Sequence, residues 1–148
     1  MFQTILVAVD GSPCARKAVL EAAGIASVCH AHVLLVYVVD DVRSLFDMAF
    51  IDHDHMVRSV SAYGQDVLDS ASALLDARGV SHGAVMESEG TRAATVAQTL
   101  LDQARKSSAD LIVMGTHGRR GMRRLVMGSV SREVVAGTEI PVLLVRSS

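Results

Sequence analysis

The sequence predicts an α/β protein with a parallel, five-stranded sheet and four helices. Short apolar runs, too short for helices, alternate along the chain with longer stretches in which apolar residues recur at helical spacing. The first unit joins a strand, a helix and a second strand through short connections, which favours a right-handed crossover and parallel strands. Because there is no internal repeat, linker or low-complexity tract, we expect a single domain over residues 1–148.

The first strand-helix-strand unit has clear boundaries. Residues 3–9 predict a strand that is buried on both faces and ends at Asp10. In the turn that follows, Ser12 can cap a helix and Pro13 can occupy its first position. The inner face of this helix is made of small apolar residues, namely Ala15, Ala18, Val19, Ala22, Ala23 and Ala26. Residues 32–39 predict the second buried strand.

The middle of the chain is less regular. Residues 41–58 show no clean period, and we expect a loop or a partly helical excursion there. The helical period returns over residues 59–78 and ends at Gly79, which is a good helix stop. Residues 83–88 predict a third, weaker strand, and residues 91–106 predict the third helix.

The last two strands flank a glycine-rich loop. Residues 111–114 predict a buried strand that ends at Gly115, and residues 141–146 predict the fifth strand. Between them, Ser129 begins a helix that runs to about Ala136. The loop that precedes this helix has glycines at four positions, Gly115, Gly118, Gly121 and Gly128.

This loop has the ingredients of a phosphate site. Glycine lets the backbone approach a ligand closely, so several N–H groups of the loop can point toward one anion. The helix start adds unpaired N–H donors and the positive end of the macrodipole, and Ser129 adds a hydroxyl. The pattern is neither a Walker A motif nor a Gly-x-Gly-x-x-Gly fingerprint. The predicted ligand is a phosphate chain.

Three segments of the chain are distinctive when taken together. They are the motif Gly115-x2-Gly118-x9-Gly128-Ser129, TILVAVDGS at residues 4–12 and PVLLV at residues 141–145. With these three segments the chain resembles the universal stress protein family, in its ATP-binding branch, over nearly its whole length. The resemblance implies a Rossmann-like, open, twisted sheet with strand order 3-2-1-4-5 and helices on both faces. In such sheets, ligands bind at the carboxyl ends of the strands where the strand order reverses, here between the first and fourth strands.

The same resemblance implies the residues that hold ATP. Ala8, where some family members have proline, and Asp10 would line the adenosine side, with Asp10 reaching the ribose or a bound metal. The backbone at Val38 would bond the adenine edge. The loop would wrap the ribose and phosphates through Gly115, Thr116, His117, Gly118, Arg119, Arg120 and Gly121. The phosphates would be held at the helix start by Gly128, Ser129, Val130 and Ser131. Mg²⁺ would come with the nucleotide, which is ATP, or ADP or AMP.

Simpler interpretations stand beside several of these assignments. Asp10 is also a common turn former, and the glycine loop could be a flexible connector. A local basic cluster could bind phosphate, contact nucleic acid or form a solvated surface, and we favour phosphate binding. The cluster consists of Arg119, Arg120, Arg123 and Arg124. Residues 52–55 (Asp-His-Asp-His) suit a solvated loop better than a metal site, because no distant ligands complete them. Cys14, in a first helical turn, is either a redox-sensitive thiol or a small buried residue.

Composition excludes several classes of protein. No apolar run approaches the roughly 20 residues that span a bilayer, and the N-terminal residues lack the basic region of a signal peptide. A net charge of −2, no Trp, three Phe and two Tyr give no reason to expect nucleic acid or membrane partners. Two Cys without metal spacing fit a reducing compartment. We therefore expect a cytoplasmic protein.

Three functions remain open. The first is an ATP-binding regulator of the stress response, in which nucleotide occupancy changes the affinity for a protein partner. The second is a slow ATP hydrolase or phosphotransfer enzyme, for which His117 and Ser129 are the nearby candidate groups. The third is an interaction module that binds no nucleotide. An apolar edge strand needs a cover, and the family solution is antiparallel pairing with a second copy, so we expect a homodimer through residues 141–146.

Overall fold

The computed structural model describes residues 1–39, 53–88, 95–118 and 127–147. Within these ranges the chain forms five strands and four helices, in the order β1 (Thr4–Ala8), α1 (Pro13–Cys29), β2 (His32–Val39), α2 (His53–Asp76), β3 (His82–Ser88), α3 (Val96–Lys106), β4 (Leu111–Gly115), α4 (Ser129–Gly137) and β5 (Val142–Val145). The predicted alternation of strands and helices is confirmed.

The described strands lie parallel in one sheet, in the order β3-β2-β1-β4-β5. β1 is the central strand, since Ile5 pairs with Val33 of β2 on one side and with Leu111 of β4 on the other. The predicted order 3-2-1-4-5 is therefore confirmed. The connections that leave β1 and β4 diverge, so the strand order reverses at their carboxyl ends and opens a crevice there.

The sheet separates two apolar cores. Ile5 and Val7 of β1 are fully buried against α1 and α2, whereas Leu6, between them, is fully buried against α3 and α4. Helices therefore cover both faces, as predicted. Burial on both faces explains why the central strands are almost continuously apolar, because neither face offers a place for a polar side chain.

The boundaries of α1 follow its sequence closely. The Ser12 hydroxyl accepts a hydrogen bond from the Ala15 N–H at 3.1 Å, and Pro13 occupies the first helical position. Both features are as predicted, because Ser is a good N-cap and Pro has no N–H to leave unpaired. The helix ends at Cys29, and His30 takes a left-handed conformation with φ 57°. α1 is thereby fixed directly behind the turn that ends β1.

α2 begins earlier than the sequence predicts. It starts at His53, so the expected start at Ser59 is wrong, and the excursion predicted over residues 41–58 is helical from position 53 onward. Apolar periodicity reports only the part of a helix that faces a core, so a polar first turn gives no signal. The rest of that excursion lies outside the described residues. At the other end, Gly79 takes φ +64° after the helix, as expected of a helix stop.

α3 begins later than the sequence predicts. Thr95 is extended and caps the helix: its hydroxyl accepts from the Gln98 backbone N–H at 3.2 Å, and the Gln98 side-chain oxygen Oε1 accepts from the Thr95 backbone N–H at 3.3 Å. A helix running without a break from Thr91 is therefore wrong, although residues 91–94 themselves lie outside the described residues. The reciprocal pair is a capping box, a signal that is readable in the sequence.

Candidate functional site

The turn that ends β1 depends on a carboxylate and a glycine. One oxygen of Asp10, Oδ1, accepts a hydrogen bond from the Ser12 N–H at 2.9 Å, so part of the turn-forming role of Asp10 is present. Gly11 has φ +85°, where a side chain is strained, and a Cβ there would also collide with the Tyr63 hydroxyl. The second carboxylate oxygen, Oδ2, is left to face the loop after β4.

The end of β4 lies against the first turn of α1. A Cβ on Gly115 would be 2.8 Å from Cys14 Sγ and 3.0 Å from Cys14 Cβ. These distances are too short for real contacts, so glycine is required here for close packing of a helix on a strand end. This packing brings the turn after β1 and the loop after β4 together.

Asp10 and Gly118 meet across the crevice. A Cβ on Gly118 would lie 2.8 Å from Asp10 Oδ2, so these two residues, distant in sequence, are neighbours in space. The sequence analysis expected the Asp10 turn and the glycine loop to share one crevice, and the described part of the loop fits that expectation.

Thr116 joins the start of the loop to its end. Its N–H donates to the Val145 carbonyl at 2.9 Å, and its carbonyl accepts from the Gly128 N–H at 2.8 Å. The Ser131 hydroxyl also donates to the Thr116 carbonyl, at 3.1 Å. The two ends of the glycine loop are thus bonded to each other and to β5. No pattern in the sequence indicates this role for Thr116.

The start of α4 offers backbone donors. Gly128 is the N-cap and has no side chain with which to cap the helix, and the first i to i−4 bond runs from the Arg132 N–H to the Gly128 carbonyl at 3.1 Å. The N–H groups of residues 129–131 precede that bond. Such groups, together with the positive end of the helix dipole, form an anion-binding position. Ser129 is exposed and Val130 is half-buried at this position.

Ala8 and Val38 lie on the same face of the sheet as the start of α4. Both are half-buried and pack against the core formed with α3 and α4, as does Val130. Ala8 and Val38, expected on the adenosine side, therefore share one face with Val130, expected on the phosphate side. A separate groove of about 590 Å³ runs between α1 and α2 on the opposite face and contacts the crevice turn at Gly11 and Ser12.

A buried thiol lies beneath the crevice. Cys14 is 3% exposed, its S–H donates to the Val145 carbonyl at 2.9 Å, and its sulfur lies 3.9 Å from the Thr116 hydroxyl. Burial raises the pKa of the thiol. Hydrogen bonds from the His117 backbone and then from the Thr116 side chain lower it, and the net pKa lies below the ordinary value of 9.0. Cys14 is thus buried, as one of its two interpretations expects, and redox sensitivity stays a prediction.

His117 is half-buried next to these groups. Its Nδ1 lies 2.9 Å from the Thr116 hydroxyl, a contact that orients the imidazole. The expected residues Arg119, Arg120 and Gly121 lie outside the described residues, as do the other two arginines of the cluster.

The described part of the chain also bears on two further features, metal sites and membrane-spanning helices. No group of three or more His, Cys, Asp or Glu side chains that could hold a metal occurs there, and the side chains of residues 52–55 fall outside it. Among the helices described, none is long and apolar enough to cross a membrane.

The arrangement is matched by one family of known proteins. The model of the universal stress protein family matches residues 1–146. The chain belongs to the universal stress protein family. A universal stress protein of Thermus aquaticus is 35% identical over 146 residues, covering 99% of this chain and 100% of that protein. Another, of Methanocaldococcus jannaschii, is 30% identical over 147 residues, covering 99% of this chain and 83% of the relative.

Solved universal stress proteins share the fold. A family member from Burkholderia pseudomallei is 32% identical with TM-score 0.74, covering 96% of this chain and 94% of that one. A universal stress protein of Archaeoglobus fulgidus in complex with dAMP has TM-score 0.71 at 22% identity, covering 97% of each chain. A universal stress protein in complex with cAMP has TM-score 0.68 at 22% identity, covering 99% of this chain and 98% of that one. At these last identities the likeness concerns the fold alone.

Proposed function

We propose that this universal stress protein binds an adenine nucleotide, ATP with Mg²⁺, and acts as a nucleotide-dependent regulator in the stress response. The observation that carries the proposal is the contact between Asp10 and Gly118 at the mouth of the crevice, near the first N–H groups of α4, which have no acceptor within the helix. Two structural neighbours that bind dAMP and cAMP support an adenine nucleotide as the ligand. Occupancy of the site changes the loop and thereby the affinity for a protein partner.

Each end of the crevice suits one part of the ligand. Ala8 and the backbone at Val38 bind adenine, and Asp10 accepts a hydrogen bond from the ribose. The N–H groups of residues 129–131 bind the phosphates, which need donors rather than a neutral surface. Gly118 leaves room for the ribose beside Asp10. Mg²⁺ is held by the phosphates, and the arginines of the loop balance the remaining charge.

Native mass spectrometry of the freshly purified protein, with and without Mg-ATP, tests the proposal. The native chain is compared with a Gly118→Val, Gly128→Val double variant and with Gly24→Val, a control at a helical glycine where a Cβ would meet nothing within 4 Å. We expect the native and control proteins to carry one nucleotide per chain and the double variant to carry none. A native chain that stays empty at saturating Mg-ATP would overturn the proposal and favour an interaction module.

The edge of the sheet supports a homodimer. β5 pairs with β4 through Val142 to Val145, and in the described residues no strand lies on its other side. An apolar edge strand invites pairing with a second copy. We therefore include in the proposal a two-fold dimer formed by antiparallel pairing of residues 141–146. Sedimentation equilibrium tests it, and a monomer at micromolar concentration would contradict it.

Slow ATP hydrolysis is the second candidate function. The observation in its favour is the 2.9 Å contact by which the Thr116 hydroxyl orients His117. An oriented imidazole next to a phosphate chain can position a water molecule. Release of inorganic phosphate from Mg-ATP measures the activity, with His117→Gln as the comparison. A turnover of about 1 per second or faster, lost in that variant, would make the protein an ordinary enzyme instead of a regulator.

A further inference from the structure

The Ser131 hydroxyl has no hydrogen to spare for a phosphate oxygen. The residue is 2% exposed, and its Oγ lies 3.1 Å from the Thr116 carbonyl oxygen and 3.1 Å from the Gly128 carbonyl oxygen. A serine hydroxyl has one hydrogen, which these two acceptors share. The hydroxyl hydrogen is therefore directed at the two carbonyl groups at the base of the glycine loop.

The Thr116 carbonyl is the centre of this arrangement. A carbonyl oxygen has two lone pairs, and here they accept the Gly128 N–H at 2.8 Å and the Ser131 hydroxyl at 3.1 Å. The Thr116 N–H is bonded to the Val145 carbonyl at 2.9 Å. Thr116 is thus fixed on one side to β5 and on the other to α4. We call the bonds among Thr116, Gly128 and Ser131 the loop clamp.

Gly128 fits the clamp because it has no Cβ. A Cβ there would lie 3.1 Å from the Thr116 carbonyl oxygen and 3.6 Å from Ser131 Oγ, tighter than ordinary contact at the first of these. Its φ of −62° is open to any residue, so the need for glycine comes from space and not from backbone conformation. Close approach of the two loop ends explains this glycine without any ligand.

We propose that Ser131 is a positioning residue, whose hydroxyl closes the glycine loop and sets the N–H groups at the start of α4 for the phosphates. The inference rests on the proposed nucleotide site. Closing a loop before a ligand arrives removes an entropic cost from binding. The benefit falls on the phosphate end alone, because the clamp lies at that end of the crevice.

The test uses Ser131→Ala, Ser131→Thr and Gly128→Ala, with Ser27→Ala as a matched control. Ser27 donates its hydroxyl to the Ala23 carbonyl at 2.8 Å, the same kind of bond at a site far from the crevice. Two quantities are measured: the Kd values of ATP and adenosine by calorimetry, and hydrogen exchange of the Gly128 amide in nucleotide-free protein.

We expect Ser131→Ala to raise the Kd of ATP about fivefold and to leave the Kd of adenosine unchanged. Hydrogen exchange of the Gly128 amide should become about tenfold faster. Gly128→Ala lowers the affinity for ATP in the same way. Combining it with Ser131→Ala lowers this affinity little further, because both changes act on one clamp. Ser131→Thr, which keeps the hydroxyl, restores both quantities. The control changes neither.

A direct phosphate contact gives a different result. In that case Ser131→Ala weakens ATP while exchange of the Gly128 amide without nucleotide stays unchanged, and the positioning role is overturned. An equal loss of ATP and adenosine also overturns it. If the native chain binds no adenine nucleotide, the proposed function fails, and the exchange rate of the Gly128 amide still supports or overturns the clamp by itself.

Discussion

Oδ2 of Asp10 lies 2.8 Å from the position that a Cβ of Gly118 would take. The two residues lie next to each other where the chain leaves β1 and β4. The Asp10 carboxylate thus leaves no room for a side chain at position 118 unless one of the two groups shifts.

Gly118→Ala brings a methyl group against the Asp10 carboxylate. We expect affinity for ATP to fall about tenfold, because the carboxylate must shift from its place beside the ribose. The free energy of unfolding changes little, since Gly118 is exposed and is not among the glycines with positive φ. Calorimetric titration and urea unfolding measure the two effects. Gly24→Ala, with open space around the new Cβ, keeps full affinity. Unchanged binding by Gly118→Ala would place Gly118 outside the site.

Asp10→Asn separates a ribose contact from a metal contact. The amide oxygen can still accept the Ser12 N–H, so the turn and the free energy of unfolding are retained. We expect the affinities for adenosine and Mg-ATP to fall by the same factor, about tenfold, because the ribose is common to both ligands. Titrations with and without Mg²⁺ measure this. A loss confined to Mg-ATP would assign the carboxylate to the metal.

Gly115→Ala should lower the free energy of unfolding by about 1–3 kcal/mol, because the new Cβ collides with Cys14 Sγ at 2.8 Å. The Cys14→Ala, Gly115→Ala double variant recovers part of that loss, since the sulfur is gone while Cys14 Cβ, at 3.0 Å, remains. Urea unfolding of the four proteins of this cycle gives the coupling energy. Strictly additive losses would show that the two residues do not contact each other.

Cys14 should titrate below 9.0, its ordinary value, because hydrogen bonds to the sulfur outweigh burial and lower its pKa. Thiolate absorbance in a Cys29→Ser protein, compared with Cys14→Ser in the same background, gives the midpoint. Because the pKa of Cys14 is lower in the folded than in the unfolded protein, the free energy of unfolding increases as pH rises from the folded-state pKa toward 9.0. This gain is lost when pH falls below the folded-state pKa. Urea midpoints across that window should rise for the native thiol and stay flat for Cys14→Ser. A midpoint above 9.0 would contradict the lowered pKa.

Most strands and helices were predictable because the signals that set them are local. Buried strands such as residues 111–114 are recognisable from their composition. The strand order came from the family resemblance, which rests on the glycine motif together with residues 4–12 and 141–145. The start of α2 at His53 was missed because a polar first turn has no periodicity. The start of α3 was readable from the capping pair Thr95 and Gln98, which the periodicity alone did not reveal.

The proximity of Asp10 to the glycine loop was predictable, whereas the binding roles of these residues stay predictions. The glycines and Asp10 were identified because a resemblance assigns them, and contact between Asp10 and Gly118 agrees with the expected crevice. The clamp was not foreseen. It depends on the backbone of Thr116 and on the direction of the Ser131 hydroxyl, which are properties of three-dimensional packing that residue type does not report.

The central position of β1 has a consequence for synthesis. Ile5 leaves the ribosome long before Leu111, its partner on β4, and at ordinary translation rates the delay is about 5–20 s. Once β2 has been made, β1 can pair with β2 alone until β4 follows, and the other edge of β1 stays open. Such an edge is the kind of surface that chaperones cover. The central position of β1 therefore places the greatest need for protection early in synthesis, before β4 has been made.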